Sequence, residues 1–182
     1  VKFSLWNGSG DDAIERLYRG LADISLIASP YDTEHLEGFA VGREPWVAIM
    51  SVNHPLAEKE GEFISLKDLA AEPLLVPSRQ SRVDAIRNWF AEVNAEPNII
   101  CALSNYLDAV ALAEQNAGIA IFPQTTYTKN ELIAKKIITG SARQIEYDIV
   151  WMKNQRLTPL IEEFINFIRD RSEERRVGKE CR

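Results

Sequence analysis

The chain is short of cysteine, histidine, basic residues and long apolar runs, and each shortage excludes something. Two cysteines in 182 residues cannot build a disulfide framework. No window approaches the ~18 consecutive apolar residues of a membrane helix. Lys and Arg number 21 against 27 Asp and Glu, a formal net charge of −6, so the broad basic face that nucleic acid demands is missing. The two histidines, His35 and His54, lie far apart with no cysteine nearby and no HExxH pattern, so no metal site is expected. There is no GxSxG, P-loop or GxGxxG motif. Asp11 and Asp12, adjacent at a helix start, suit the helix dipole rather than an acid/base pair. Neither catalysis nor a cofactor is expected.

What is present is ample core material, 46% hydrophobic residues, enough for one domain or two small lobes. Strand and helix patterns alternate, the mark of an α/β fold with a mostly parallel sheet. Val1–Leu5 alternates like a strand. Ser9-Gly-Asp-Asp12 opens a helix in capping-box fashion, with Ile14, Leu17, Tyr18 and Leu21 as its apolar stripe and Gly20 at its C-terminal turn. Strands are predicted at 22–28, 36–41 and 46–52. His54-Pro55 then makes a turn and 58–62 a polar loop.

Beyond it, Ser65 caps a short helix, 74–76 is a strand, and Ser81 starts a helix with the bulky stripe Ile86, Trp89, Phe90 and Val93. A strand over 98–103, which holds Cys101 as a core thiol, leads to a helix opened by Asn105 and ending at Gly118. Strands at 119–122, 135–139 and 145–151 precede a closing helix over 157–170 with Thr158 as cap and Pro159 at its first position. The lobe boundaries read as 1–53 plus 150–170 for the first and 54–149 for the second.

The last twelve residues, 171–182, lack this apolar rhythm and resemble the in-frame translation of a common DNA-sequencing adapter, so they are expected to be non-native. They hold five basic and three acidic residues, and without them the net charge is −8. The missing initial methionine and the start in a strand-like segment predict a fragment of a longer gene.

Five segments, in order and spacing, resemble the effector-binding domain of LysR-type transcriptional regulators over residues 1–170. They are Asp23-Ile-Ser-Leu-Ile27, then Arg43-Glu-Pro-Trp-Val-Ala-Ile49 running into His54-Pro-Leu-Ala57, then Ile64-Ser-Leu-Lys-Asp-Leu-Ala-Ala-Glu-Pro73. Ser104-Asn-Tyr-Leu-Asp-Ala-Val110 and Gly118-Ile-Ala-Ile-Phe-Pro123 complete the series. The resemblance implies a two-lobed fold of the type 2 periplasmic-binding-protein kind, with two crossover strands and a small-molecule effector in the cleft. It assigns the closing helix to the first lobe. It also implies an N-terminal winged helix-turn-helix, absent here, that binds promoter DNA, a homo-oligomeric full-length protein, a cytoplasmic location and no membrane association. An extracytoplasmic solute-binding protein of the same fold is the alternative, and an enzyme on this fold would need a constellation the residues lack.

Candidate effector contacts lie where strands end and helices begin. The loop Pro77-Ser-Arg-Gln-Ser-Arg82 offers Ser78, Arg79, Gln80, Ser81 and Arg82; backbone N–H groups at a helix start together with two arginines suit a carboxylate, so an anionic effector is expected. Capping by Ser81 and solvated arginines explain the same residues. Ser104 and Asn105 form a second such junction, again open to a plain capping role. Pro123 and Gln124, with Thr125 and Thr126, follow a strand end. Asn7 in Trp6-Asn-Gly-Ser9, and Arg43 beside Glu44, complete the set, with a turn and an exposed ion pair as their plainer readings.

Overall fold

The computed structural model describes residues 2–125, 131–140 and 143–180, with side chains up to Glu173. In chain order the elements are α1 (Gly10–Tyr18), β1 (Ser25–Ala28), β2 (Leu36–Ser51), a 3-10 turn (Pro55–Ala57), β3 (Phe63–Ile64), α2 (Leu66–Leu69) and β4 (Leu74–Pro77). There follow α3 (Gln80–Glu92), β5 (Ile99–Leu103), α4 (Tyr106–Glu114), β6 (Ile119–Pro123), β7 (Ile133–Ile138), β8 (Gln144–Met152) and α5 (Pro159–Glu180). The chain divides into unit 1, Val1–Arg43 with Ile145–Arg182, and unit 2, Glu44–Gln144. These divisions fall within β2 and at the start of β8, whereas the sequence reading set them at 53/54 and 149/150. None of the described helices is long and apolar enough to cross a membrane.

Unit 1 has a small sheet in the order β1-β8-β2. The pairing of β1 with β8 is antiparallel, Ser25↔Val150 to Ala28↔Tyr147, so the mostly parallel expectation fails in this unit. The reason is that β8, a late strand, inserts beside β1. Successive residues of β8 face opposite sides. Val150 joins Leu17, Ile27 and Leu36 under α1, while Ile149 and Trp151 meet Ile165 of α5. The closing helix thus buries its stripe in unit 1. Gly38 permits the close approach of β2 to β8, because a Cβ there would lie 2.2 Å from the Ile149 carbonyl oxygen.

Several local expectations meet their structure here. Ser9 caps α1, accepting the Asp12 N–H at 3.2 Å, and Gly20 takes the left-handed turn at φ 65°. Lys2–Leu5, read as part of a strand, is not one: no described strand takes its backbone groups, and Phe3 and Leu5 are exposed. Val1 lies outside the described residues. α5 does not stop at 170 but runs on through the adapter-like residues to Glu180, and the side chains beyond Glu173 lie outside the described set.

Unit 2 is a mixed sheet ordered β5-β4-β6-β2-β7-β3. β4 is parallel to β5 and β6, and β2 is antiparallel to β6 and β7. Helices cover both faces. Val47 and Ile49 pack with Ala109, Val110 and Ala113 of α4, while the alternate residue Trp46 meets Trp89 of α3 edge-on at 5.2 Å. β2 is one strand of 16 residues where two were predicted. Pro45 does not break it, since its ring tolerates an extended backbone and only an N–H is lost. α4 ends at Glu114 rather than Gly118, closed by Asn116 at φ 57°. Gly118 instead allows close strand packing, a Cβ there falling 2.8 Å from the Pro73 carbonyl oxygen.

The polar loop 58–62 is organised by buried Lys136, whose Nζ donates to the carbonyls of Lys59 and Gly61. Lys59 in turn pairs with Asp68 at 2.5 Å, and this bond, followed by the one from Ser65, holds the Asp68 carboxyl below its usual range. Cys101 is half-buried against the α4 cluster rather than fully enclosed.

Candidate functional site

Three parallel strands of unit 2 end on one edge. Pro77, closing β4, is level with Leu103, closing β5. β6 runs parallel to β4 and finishes at Pro123. Ligands of open α/β sheets bind beyond such carboxyl ends. All the expected site residues except Asn7 and Arg43 form or follow these ends, so residues more than forty positions apart in sequence share an edge.

The first loop is tied to the second by the Ser78 N–H, which donates to the Leu103 carbonyl at 2.8 Å. α3 begins at Gln80, with Arg79 in an extended conformation at its cap and no side chain capping it. Ser81 therefore lies inside the first turn and is not the cap read from the sequence. The Arg79 carbonyl already accepts the N–H groups of Arg82 and Val83 at 2.8 and 3.2 Å, which starts the helix earlier. A helix start uncapped by a side chain leaves positive dipole facing outward. Gln80 is held by its Nε2 donating to Asp84 at 2.7 Å. Arg79 and Arg82 are half-buried and each has a partner within the protein.

Asn105 does cap α4, its Oδ1 accepting the Leu107 N–H at 2.9 Å, and Ser104 beside it is exposed. Half-buried Gln124 donates its backbone N–H to the Pro45 carbonyl at 2.8 Å, and Pro123 is level with Trp46. Thr126, part of the same expected loop, lies outside the described residues. The edge thus collects two helix N-termini, two arginines and several hydroxyl and amide groups, a set suited to a small anion.

Asn7 and Arg43 belong to unit 1. Asn7 is exposed beside Gly8, over which the Trp6 ring lies so closely that a Cβ on Gly8 would meet it at 2.1 Å. Arg43 pairs with Glu146 at 2.6 Å, not with its neighbour Glu44.

Unit 1 also gathers Asp32, Glu34 and His35, whose potential ligand atoms lie within 4.8 Å of one another. Asp32 is already engaged: it faces His35 Nδ1 at 2.6 Å and accepts from the Glu34 N–H at 2.8 Å and the Tyr18 hydroxyl at 3.2 Å. Its hydrogen bond with His35 leads the causes that lower the Asp32 carboxyl, and the same bond raises the imidazole. Burial first, then Asp32, raises the Tyr18 phenol. The arrangement reads as a hydrogen-bonded surface cluster. His54 is a turn residue as expected, with an added role: Nδ1 accepts the Leu56 N–H at 3.2 Å and Nε2 faces Glu72 at 3.4 Å.

Sequence reasoning passed over Arg143, which stands between two predicted strands in a stretch without periodicity. It is 7% exposed, and a buried arginine is rarely without a purpose. Its chemistry depends on neighbours distant in sequence, so no local signal could have found it.

Residues 1–173 match the LysR substrate binding domain family. Among curated relatives, the chain is 26% identical over 163 residues to the Hca operon transcriptional activator HcaR of Escherichia coli (strain K12), covering 86% of this chain and 53% of that protein. The chain spans about half the length of the curated relatives it matches. Among solved structures, the effector binding domain of QuiR in complex with shikimate aligns over 94% of this chain and 82% of that one, with a TM-score of 0.84 and 22% identity. The BenM effector binding domain with its effector benzoate aligns over 92% and 77%, with a TM-score of 0.73 and 18% identity. At such identities the likeness is one of fold: two α/β units joined by two crossover strands, the type 2 periplasmic-binding-protein kind expected from the resemblance.

Proposed function

The chain belongs to the LysR substrate binding domain family, and from that premise we propose that it is the effector-sensing part of a transcriptional regulator and that its effector is a small anion. The observation that carries this reading is the shared carboxyl edge of β5, β4 and β6, where Ser78–Arg82, Ser104–Asn105 and Pro123–Gln124 converge. Arg79 and Arg82 supply charge, the starts of α3 and α4 supply dipole, and Ser78, Ser104 and Gln124 supply neutral hydrogen bonds. Asn7 and Arg43, which belong to unit 1, are proposed as effector contacts in their own right.

An effector acts only through its differential affinity for two states of the regulator. DNA binding belongs to a separate N-terminal winged helix-turn-helix, which accords with the acidic charge of this domain. Homo-oligomerisation of the full-length protein and a cytoplasmic location follow from the same role. The solute-binding alternative is not favoured, because the matched curated relatives are transcriptional regulators. Relatives of that kind argue against catalysis as well.

The test is calorimetric titration with shikimate and benzoate, the ligands of the QuiR and BenM structures, alongside their uncharged methyl esters. The acids are expected to bind, the esters more weakly, and Arg82→Gln to reduce acid binding about tenfold, as loss of a charge-assisted contact does. Preference for neutral or cationic compounds across a metabolite panel would overturn the anionic reading.

A further inference from the structure

Unit 2 contains a pocket of about 310 Å3 on the side of Pro45, whose carbonyl accepts the Gln124 N–H at 2.8 Å. Pro45, Phe63, Ile137 and Ile138 give it an apolar lining, and Arg143 and Gln144 give it polar groups. It shares no residue with the loops that follow β4, β5 and β6. Its volume is at the low end for small-molecule sites, and its mix of apolar lining with few polar groups is typical of them.

The Arg143 guanidinium decides what fits. Nη1 donates to the Thr139 carbonyl, and Nη2 donates to Glu92 Oε2 at 2.7 Å. Nε is buried and has no hydrogen-bond partner among the described residues. The ring of Trp89 lies 5.7 Å from the guanidinium carbon and helps fix the group in place. Nε and one Nη of an arginine form a planar face that takes both oxygens of a carboxylate. Here Nη2 is taken by one oxygen of Glu92, whose side chain is 59% exposed, and Nε is left unused among the described residues.

We propose that this pocket is a second small-molecule site, specific for a monocarboxylate with an apolar body. The ligand's carboxylate displaces Glu92 and bonds Nε and Nη2 of Arg143, and its body lies against Pro45, Ile137 and Phe63. Phe63 is 60% exposed, which leaves its ring available at the rim. One arginine and an apolar lining match a monoanion; a phosphate or dicarboxylate would leave charge unpaired. Pro45 and Gln144 stand where the chain passes into and out of unit 2, so an occupant touches both connections.

Benzoate is the probe. In an isotope-labelled chain, titration is expected to move the Arg143 Nε–H resonance downfield and to shift Phe63 and Ile137. Glu92→Gln removes the competing carboxylate and is expected to tighten benzoate binding at these resonances about tenfold, while Arg143→Gln abolishes it. Because Arg143→Gln can also loosen the loop it anchors, the Glu92 variant is the deciding one. Unchanged or weaker binding in Glu92→Gln overturns the proposal, and so do shifts confined to Ser78–Arg82 and Ser104, which leave the first site standing. Shifts at Arg143 without any at those loops support the second site and count against the first.

Discussion

The Ser78 amide donates to the Leu103 carbonyl across 2.8 Å, joining the end of β5 to the loop that enters α3. Because β4 and β5 are parallel and level at Pro77 and Leu103, this one bond sets the two helix starts side by side. Each helix adds its own positive end to the same edge. The candidate site is therefore held by backbone geometry, and side-chain changes around it can be interpreted separately for stability and for binding.

Asn105→Ala removes the cap of α4 and leaves the Leu107 N–H without its acceptor. The loss is about 1 kcal/mol, with Asn105→Asp retaining most of the stability. For a chain of this size, thermal melting should fall about 2–4 °C in the alanine variant. An unchanged melting temperature would show that water caps the helix equally well.

Trp46 is 2% exposed and contacts Trp89 edge-on. Truncation in so closed a site costs about 3–5 kcal/mol, so Trp46→Ala should lower the urea midpoint sharply or prevent folding. Trp46→Phe keeps an aromatic neighbour for Trp89 and should recover part of the loss. Equal destabilisation by both would mean that the ring contact is immaterial.

Gly38 and Gly42 lie four residues apart in β2 and predict opposite outcomes. A methyl group on Gly38 meets the Ile149 carbonyl oxygen, whereas nothing lies within 4 Å of one on Gly42. Gly38→Ala should cost about 1–3 kcal/mol or more, because strand backbones must separate. Gly42→Ala should be neutral or stabilising by about 0.4–1 kcal/mol, through a less flexible unfolded chain. Denaturant melts of the pair settle the comparison.

The His35 imidazole should titrate above its ordinary value near 6.5, because Asp32 hydrogen-bonds its charged form. A raised folded pKa means that this pair favours the folded state below the unfolded histidine pKa, and that the benefit fades as pH rises through the folded one. At the acidic end the sign reverses in mechanism: Asp32 is lowered, so its contribution is present above the unfolded carboxylate pKa and is lost as pH falls through the folded value. Proton NMR of His35 in Asp32→Asn should show the imidazole returning toward 6.5. An unmoved titration would sever the pairing.

How far the site was legible depended on whether its signal was local. Ser9 and Asn105 act as caps because a cap is a short-range hydrogen bond written within three residues. Ser81 misled, since an extended Arg79 can start a helix with its carbonyl and needs no serine cap. The sequence reading placed separate strands at 36–41 and 46–52, but an extended backbone tolerates the proline between them, and pairing on both sides carries β2 through.

By itself, the sequence determined the α/β alternation, most helix and strand positions, the loops where strands feed helices, and the family resemblance. These are properties of neighbouring residues: apolar period, capping and turn chemistry act over a few positions. Only the tertiary structure decided that Ser78, Ser104 and Gln124 follow strands ending on one edge, that Arg43 pairs with Glu146, and that Ile149 and Trp151 are the residues that meet Ile165 of α5. It alone buried Arg143 between Glu92 and Thr139. The physical reason is that sheet order and register bring together groups separated by tens of residues, and no local period records which strand will lie beside which.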